Sequence, residues 1–240
     1  MTTPLVEVHP DAESLATAVA GELLTRLADA QAAGHQPQIA LTGGTIAEAL
    51  HRELARLSPG SEVDWTRVVV WWGDERFVPA DDPDRNAWQA RRAFLDAVGA
   101  TQAHEMPSSD DGADVEAAAL AFEDVVREHG TGEFEVVMLG IGPDGHVASL
   151  FPGHSQLEVD DRIAVGVTDS PKPPPQRITF TFPALNRTRS LWVIASGAGK
   201  AAAVAAALAE SGTVAETPAR GVHGLADTTY FLDRDAASRL

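Results

Sequence analysis

The chain has no cysteine in its 240 residues, which excludes disulfides, thiolate nucleophiles and cysteine-ligated metal. Lysine is almost missing too: Lys172 and Lys200 are the only two, beside 16 arginines. No apolar run is long enough to span a bilayer. The opening Met1-Thr2-Thr3-Pro4-Leu5-Val6-Glu7 lacks the basic segment and apolar core of a secretory leader. A cytoplasmic protein is the expectation. Positive charge is scarce overall, with 18 Lys and Arg against 35 Asp and Glu for a formal net charge of −17. That balance disfavours nucleic acid or an anionic membrane as partner. An acidic chain that binds an anionic metabolite must gather its few cations in one place.

The 44% hydrophobic fraction suits an ordinary globular core, and neither a repeat nor a linker divides the chain, so residues 1–240 read as a single domain. A helix capped by Asp11 carries Leu15, Val19, Leu23 and Leu27 on one face and stops at Gly34. Gln38–Leu41 reads as a strand, followed by a helix that Thr45 can cap, with Ile46, Leu50 and Leu54 at four-residue spacing. Arg67–Trp72 is apolar without alternation, as in a parallel strand covered on both faces. An acidic loop at Pro79–Arg85 follows, then helices are predicted from about Asn86 to Val98 and from about Asp114 to Glu128, before a buried strand at Phe134–Leu139. Weaker strands follow at Ile163–Val167, Ile178–Phe182 and Leu191–Ala195, then an alanine-rich helix after Lys200, a strand at Tyr230–Leu232 and a terminal helix capped by Asp233. Strands alternating with helices predict an α/β fold: an open, mostly parallel, Rossmann-like sheet with helices on both faces. Ligands in such sheets bind at the carboxyl ends of the strands, where every motif below falls.

Thr42-Gly43-Gly44-Thr45 sits at a strand-to-helix turn, where bare amides and the helix dipole suit an anion; the plain alternative is a tight turn that needs glycine. Asp74-Glu75-Arg76 directly follows two tryptophans, an unusual place for charge unless it is used, and Arg76 can fork onto a phosphate or polarise a carbonyl. Gly140-Ile141-Gly142-Pro143-Asp144-Gly145-His146 places an imidazole beside a carboxylate on a glycine-rich turn, a base with a possible orienting partner. His146 and His154 with Asp144 do not match the spacing of a standard zinc site, so no metal is expected. Arg177 opens a strand. Lys200 opens a helix against its dipole, which makes sense if something anionic lies there.

Taken in order, these motifs resemble the glucosamine-6-phosphate isomerase/6-phosphogluconolactonase family from about residue 10 onward. The match runs through Thr42–Thr45, Trp72–Pro79, Asn86, Gly140–Pro152, Pro171–Pro174 with Arg177–Thr179, and Gly199-Lys200. The C-terminal Thr229–Asp233 is family-like but lacks a tryptophan common just before it. The resemblance implies a sugar-phosphate isomerase/deaminase-like fold. Its lactonase branch implies hydrolysis of 6-phospho-D-glucono-1,5-lactone to 6-phosphogluconate in the oxidative pentose phosphate pathway. On that branch His146 would activate water, and Asp144 or Asp74 would orient it or bind sugar hydroxyls. The Gly43–Thr45 amides, Arg177 and Lys200 would hold the phosphate or the oxyanion, with Arg76 sharing a role. The small sugar-phosphate lactone would be the partner; neither a cofactor nor an obligatory protein partner is implied. The deaminase branch is the rival, but it carries a tyrosine where this chain has Arg76 and a glutamate where it has Phe151. A sugar-phosphate sensor without turnover is the other alternative, although the chain has no helix-turn-helix motif or second domain to transmit a signal.

Overall fold

The computed structural model describes residues 3–130 and 132–240. Met1 and Thr2, the first residues of the opening segment read above, lie outside the described residues. Seven parallel strands form one open sheet. They are β1 (Leu5–His9), β2 (Gln38–Leu41), β3 (Val69–Trp72), β5 (Gln102–Ala103), β6 (Phe134–Gly140), β9 (Thr188–Ala195) and β10 (Asp227–Asp233), in the spatial order β1-β10-β9-β6-β2-β3-β5. Both faces are covered. Odd-even alternation along the central strands sends Ile39, Leu41, Val70, Trp72, Met138 and Ile194 to one core and Ala40, Trp71, Val137, Leu139 and Val193 to the other. Helices α1 (Ala12–Ala32), α2 (Thr45–Leu57) and α3 lie over the first face. Helix α3 begins as Asn86–Ala90, passes through a π-helical turn at Arg91–Leu95 and ends in Asp96–Val98 before a left-handed Gly99. Helices α4 (Val115–His129) and α5 (Ala201–Leu208) lie over the second.

The sheet departs from the sequence reading in one respect that shapes the site. The predicted strands near 163–167 and 178–182 do not join the parallel sheet. They form β7 (Ala164–Val167) and β8 (Arg177–Phe180), which pair antiparallel with each other, and β8 pairs with β4 (Asp74–Arg76) in a separate three-stranded sheet. Gly73 is the joint. Its N–H donates to Leu41 of the large sheet (3.0 Å), while its carbonyl accepts from Phe180 of the small one (2.9 Å). Local apolar pattern marks such segments as strands but says nothing of which sheet they enter.

Three smaller corrections have local causes. Thr45 is the first residue of α2 and not its cap; the cap is Gly44 at φ 96°, a conformation that favours glycine. The Asp233 segment makes turns over 234–239 in place of a helix, with Asp233 accepting from the Ala236 amide and also from Ser196 and Gly197. Edge strand β1 went unread because Leu5, Val6 and Val8 are exposed, so no burial pattern marks it.

Two carboxylates of α4 fasten the small sheet: Glu116, which accepts from the Gly166 amide (2.8 Å), and Glu123. Glu123, 1% exposed, accepts from Arg162 Nε (2.6 Å), Arg127 Nη2 (2.6 Å) and the Ile163 amide (3.1 Å). Burial alone would raise its pKa, but the hydrogen bonds from Arg162 and Arg127 outweigh that and hold it below the usual range. A depressed carboxylate stabilises the fold fully above its unfolded pKa and loses that contribution as pH falls through the depressed value. Glu123→Gln is therefore expected to cost about 2 kcal/mol at neutral pH in urea denaturation. The difference from wild type should shrink toward pH 3; a gap that widens on acidification contradicts the assignment.

Candidate active site

The two motifs singled out in the sequence follow neighbouring strands. β2 pairs with β6 at the centre of the sheet, and the strand order runs outward in opposite directions from them, which makes this the topological switch point. Thr42 ties the two loops together by accepting from the Gly140 amide (3.0 Å). A cleft of about 840 Å³ opens here, lined by Gly43, Gly44 and Thr45 on one side and by Gly142 and His146 on the other.

The histidine turn is closed by its own backbone: the Gly142 amide donates to His146 (2.8 Å) and the Gly145 amide to Gly142 (2.9 Å). Gly145 and Ala148 take positive φ of 84° and 50°. For an alanine that conformation carries strain, and it falls beside the imidazole. His146 Nδ1 lies 2.5 Å from Asp144 Oδ1, and the Phe151 ring packs on the imidazole with centroids 4.6 Å apart. Burial pushes the His146 pKa down, more than the hydrogen bond and charge of Asp144 push it up. Burial would raise Asp144, but His146 and Lys172 hold it below its ordinary value. Both directions agree on one state: ionised Asp144 receiving the Nδ1 proton of a neutral imidazole. That leaves Nε2 with a free lone pair.

Asp144, then, is the carboxylate on the imidazole. Asp74 instead accepts from Ser149 Oγ (2.6 Å), lies 3.9 Å from Arg177 Nη1, and reaches His146 only through its charge. Glu75, between the two residues chosen from sequence, caps α3: its carboxylate accepts from the amides of Asn86 and Ala87 (2.8 Å each) and from its neighbour Arg76. Burial pushes its pKa up against the charge of Arg85 and these amides. The Asp-Glu-Arg run thus alternates cleft, scaffold, cleft.

The cations converge. Both lysines of the chain line the cleft, together with Arg52, Arg76 and Arg177. Lys200 Nζ donates to the Ile141 carbonyl (2.7 Å), and burial lowers its pKa. Arg177, 6% exposed, spends Nε on the Pro174 carbonyl (2.8 Å) and Nη2 on those of Lys172 and Pro173 (3.1 and 3.0 Å). Arg76 reaches the Asp84 carbonyl through Nη1, which pins the acidic loop, and its buried Nε has no partner among the described residues. The buried Asn86 Oδ1 is likewise unpartnered, next to Gly43, where a Cβ would overlap it. Both residues line the cleft, although these two atoms themselves are shut off from solvent. Sequence reasoning did not assign Arg52, Ser149 or the capping Glu75. For Arg52 the available signal was its position seven residues after Thr45, on the same face of α2.

An open parallel sheet with a histidine–carboxylate pair and a cationic, glycine-rich pocket at its switch point defines a class: α/β proteins built to act on a small phosphorylated or otherwise anionic metabolite. The chain belongs to the family described as Glucosamine-6-phosphate isomerases/6-phosphogluconolactonase, whose model matches residues 10–231. A 6-phosphogluconolactonase of Streptomyces coelicolor is 44% identical over 249 residues, covering 99% of this chain and 95% of that relative. Among solved structures, 6-phosphogluconolactonase from Trypanosoma cruzi is similar with a TM-score of 0.85 at 25% identity, over 100% of this chain and 98% of that one. A monomeric glucosamine-6-phosphate deaminase superposes nearly as well (TM-score 0.82, 21% identity, 98% and 100% covered), so the fold alone does not separate the two branches. No helix among the described residues is long and apolar enough to cross a membrane.

Proposed function

We propose that the protein hydrolyses 6-phospho-D-glucono-1,5-lactone to 6-phosphogluconate, with His146 as general base. The single observation that carries the reading is the contact of 2.5 Å between His146 Nδ1 and Asp144 Oδ1, with Phe151 packed against the ring. In the deaminase branch a glutamate would stand at that position; a phenyl ring moves no proton. The 44% identity to a lactonase over nearly the whole chain supports the same branch.

Chemically, Nε2 of His146 takes a proton from water as its oxygen adds to the C1 carbonyl. The resulting oxyanion needs a donor, and the guanidinium of Arg76, a residue of the cleft wall, is the candidate. Collapse breaks the bond from C1 to the ring oxygen, and the imidazolium returns its proton to that oxygen. Asp144 holds the ring tautomer throughout. Asp74 offers an acceptor to sugar hydroxyls. The phosphate falls to the Gly44 and Thr45 amides at the start of α2, with Lys200 and Arg52 also lining the cleft. Thr42 and Gly43 shape that loop, and Gly43 does so by leaving room for Asn86.

Turnover of the lactone above its spontaneous opening rate is the direct test, and binding without turnover would instead favour a sensor. Lys200→Ala is expected to raise KM for the phosphorylated lactone about tenfold or more, as for one charge-assisted contact, with little change for unphosphorylated gluconolactone. An equal effect on both substrates would remove Lys200 from the phosphate end.

A further inference from the structure

We propose that Lys172 is a positioning residue of the His146–Asp144 pair: presented by a loop that Arg177 holds, its ammonium acts by charge to oppose protonation of the imidazole. Lys172 Nζ lies 3.4 Å from His146 Nδ1 and 3.8 Å from Asp144 Oδ1, on the cleft side of both. It approaches from a different part of the chain. His146 hangs from the large sheet after β6, whereas Lys172 stands in the proline-rich loop that leads into β8 of the small sheet. That loop is fixed by four contacts: the three carbonyls of residues 172–174 gripped by Arg177, and Ser170 Oγ donating to the Lys172 carbonyl (2.9 Å). Arg177 is thereby accounted for. Most of its donors hold the backbone that carries Lys172, and Nη1 faces Asp74.

The groups facing the imidazole are few. Asp144 comes from its own turn, Lys172 from the proline loop, Asp74 from the start of β4, and uncharged Phe151 covers the ring. Lys200 stands one step away on the Ile141 carbonyl. Asp144 and Asp74 both favour an imidazolium, which cannot accept a proton from water. Among the described residues Lys172 is the cation that opposes them directly, and it also shares the charge of Asp144. Burial already favours the neutral base, and Lys172 adds to it by offsetting two carboxylates that favour the imidazolium. A unit charge at 3.4 Å in partly solvated surroundings shifts a protonation by roughly one pH unit.

The inference rests on the lactonase reading for its kinetic arm only. The Lys172 side chain is 43% exposed, so replacing it should leave the fold intact. The imidazole of His146 can be titrated by 15N NMR in the free protein, its resonance identified by loss in His146→Asn. In Lys172→Met the midpoint should rise by about 0.5–1 pH unit, while Lys172→Arg keeps the wild-type value. The acid limb of kcat/KM should move with it, so that the loss in Lys172→Met grows toward about three- to tenfold at pH values well below the midpoint and is small at pH 8. An unmoved midpoint overturns the proposal, as does a loss of equal size at every pH, which would make Lys172 a substrate contact. If the midpoint shifts but the wild-type protein does not turn over the lactone, the tuning stands and the lactonase reading fails.

Discussion

Replacing His146 with alanine is expected to lower kcat/KM for the phosphorylated lactone by about 10²–10⁴-fold, the usual contribution of a positioned general base. The drop should appear chiefly in kcat, because the imidazole acts on water and the ring oxygen more than on the bound substrate. Folding should be unaffected: the side chain lines an open cleft, and its loss leaves Asp144 with Lys172 nearby. Because the lactone opens spontaneously, rates must be read above the uncatalysed background at low enzyme concentration. A variant that stays within about threefold of wild type, far below the contribution of a general base, sinks the assignment.

Gly142→Ala is expected to be almost as damaging, through geometry alone. A Cβ at position 142 would overlap Nδ1 and Cε1 of His146 and Oδ1 of Asp144. The obstructing atoms are the ends of movable side chains, so the fold can yield by expelling the ring from its carboxylate. Displacements of about 1 Å at a reacting group cost roughly 10²-fold. We therefore expect a loss of about 10²-fold or more in kcat with little change in thermal stability, measured on the same preparation by turnover and calorimetry. A stable, fully active Gly142→Ala protein would mean that the His146–Asp144 contact is not used in the reaction. Glycine here is required by the approach of a side chain to the backbone, whereas Gly44 is required by its own φ of 96°.

Much of this was legible in the chain itself. The helix of 12–32, the strand of 38–41 and the helix that follows Asp114 could be read because their apolar spacing and caps agree with their burial. Asp11 and Asp114 accept from Ser14 and Ala117 amides, as N-cap residues should. The convergence of Thr42–Thr45 with Asp144–His146 followed from a general property of parallel sheets, which bring the ends of neighbouring strands together. Sheet membership was not legible. Segments 164–167 and 177–180 look like any buried strands, and only pairing with Asp74–Arg76 sends them to a second sheet. Side-chain partnership was hidden for the same reason. Whether Asp144 or Asp74 meets the imidazole depends on where Ser149 and Arg177 stand, and those contacts span 75 and 103 positions of the chain. Lysine scarcity drew attention to Lys172 and Lys200, yet the distances to His146 came only with the folded loop.

The division into two sheets has a consequence for how this protein fails on heating. The base belongs to the large sheet and the ammonium beside it to the small one; the sheets are joined at Gly73, and Glu116 and Glu123 fasten the small one to α4. Local opening of the small sheet requires less energy than melting the seven-stranded core. Catalysis would then report on the seam between the sheets, fading while the bulk of the secondary structure still stands. The active site is, in effect, the molecule's own strain gauge.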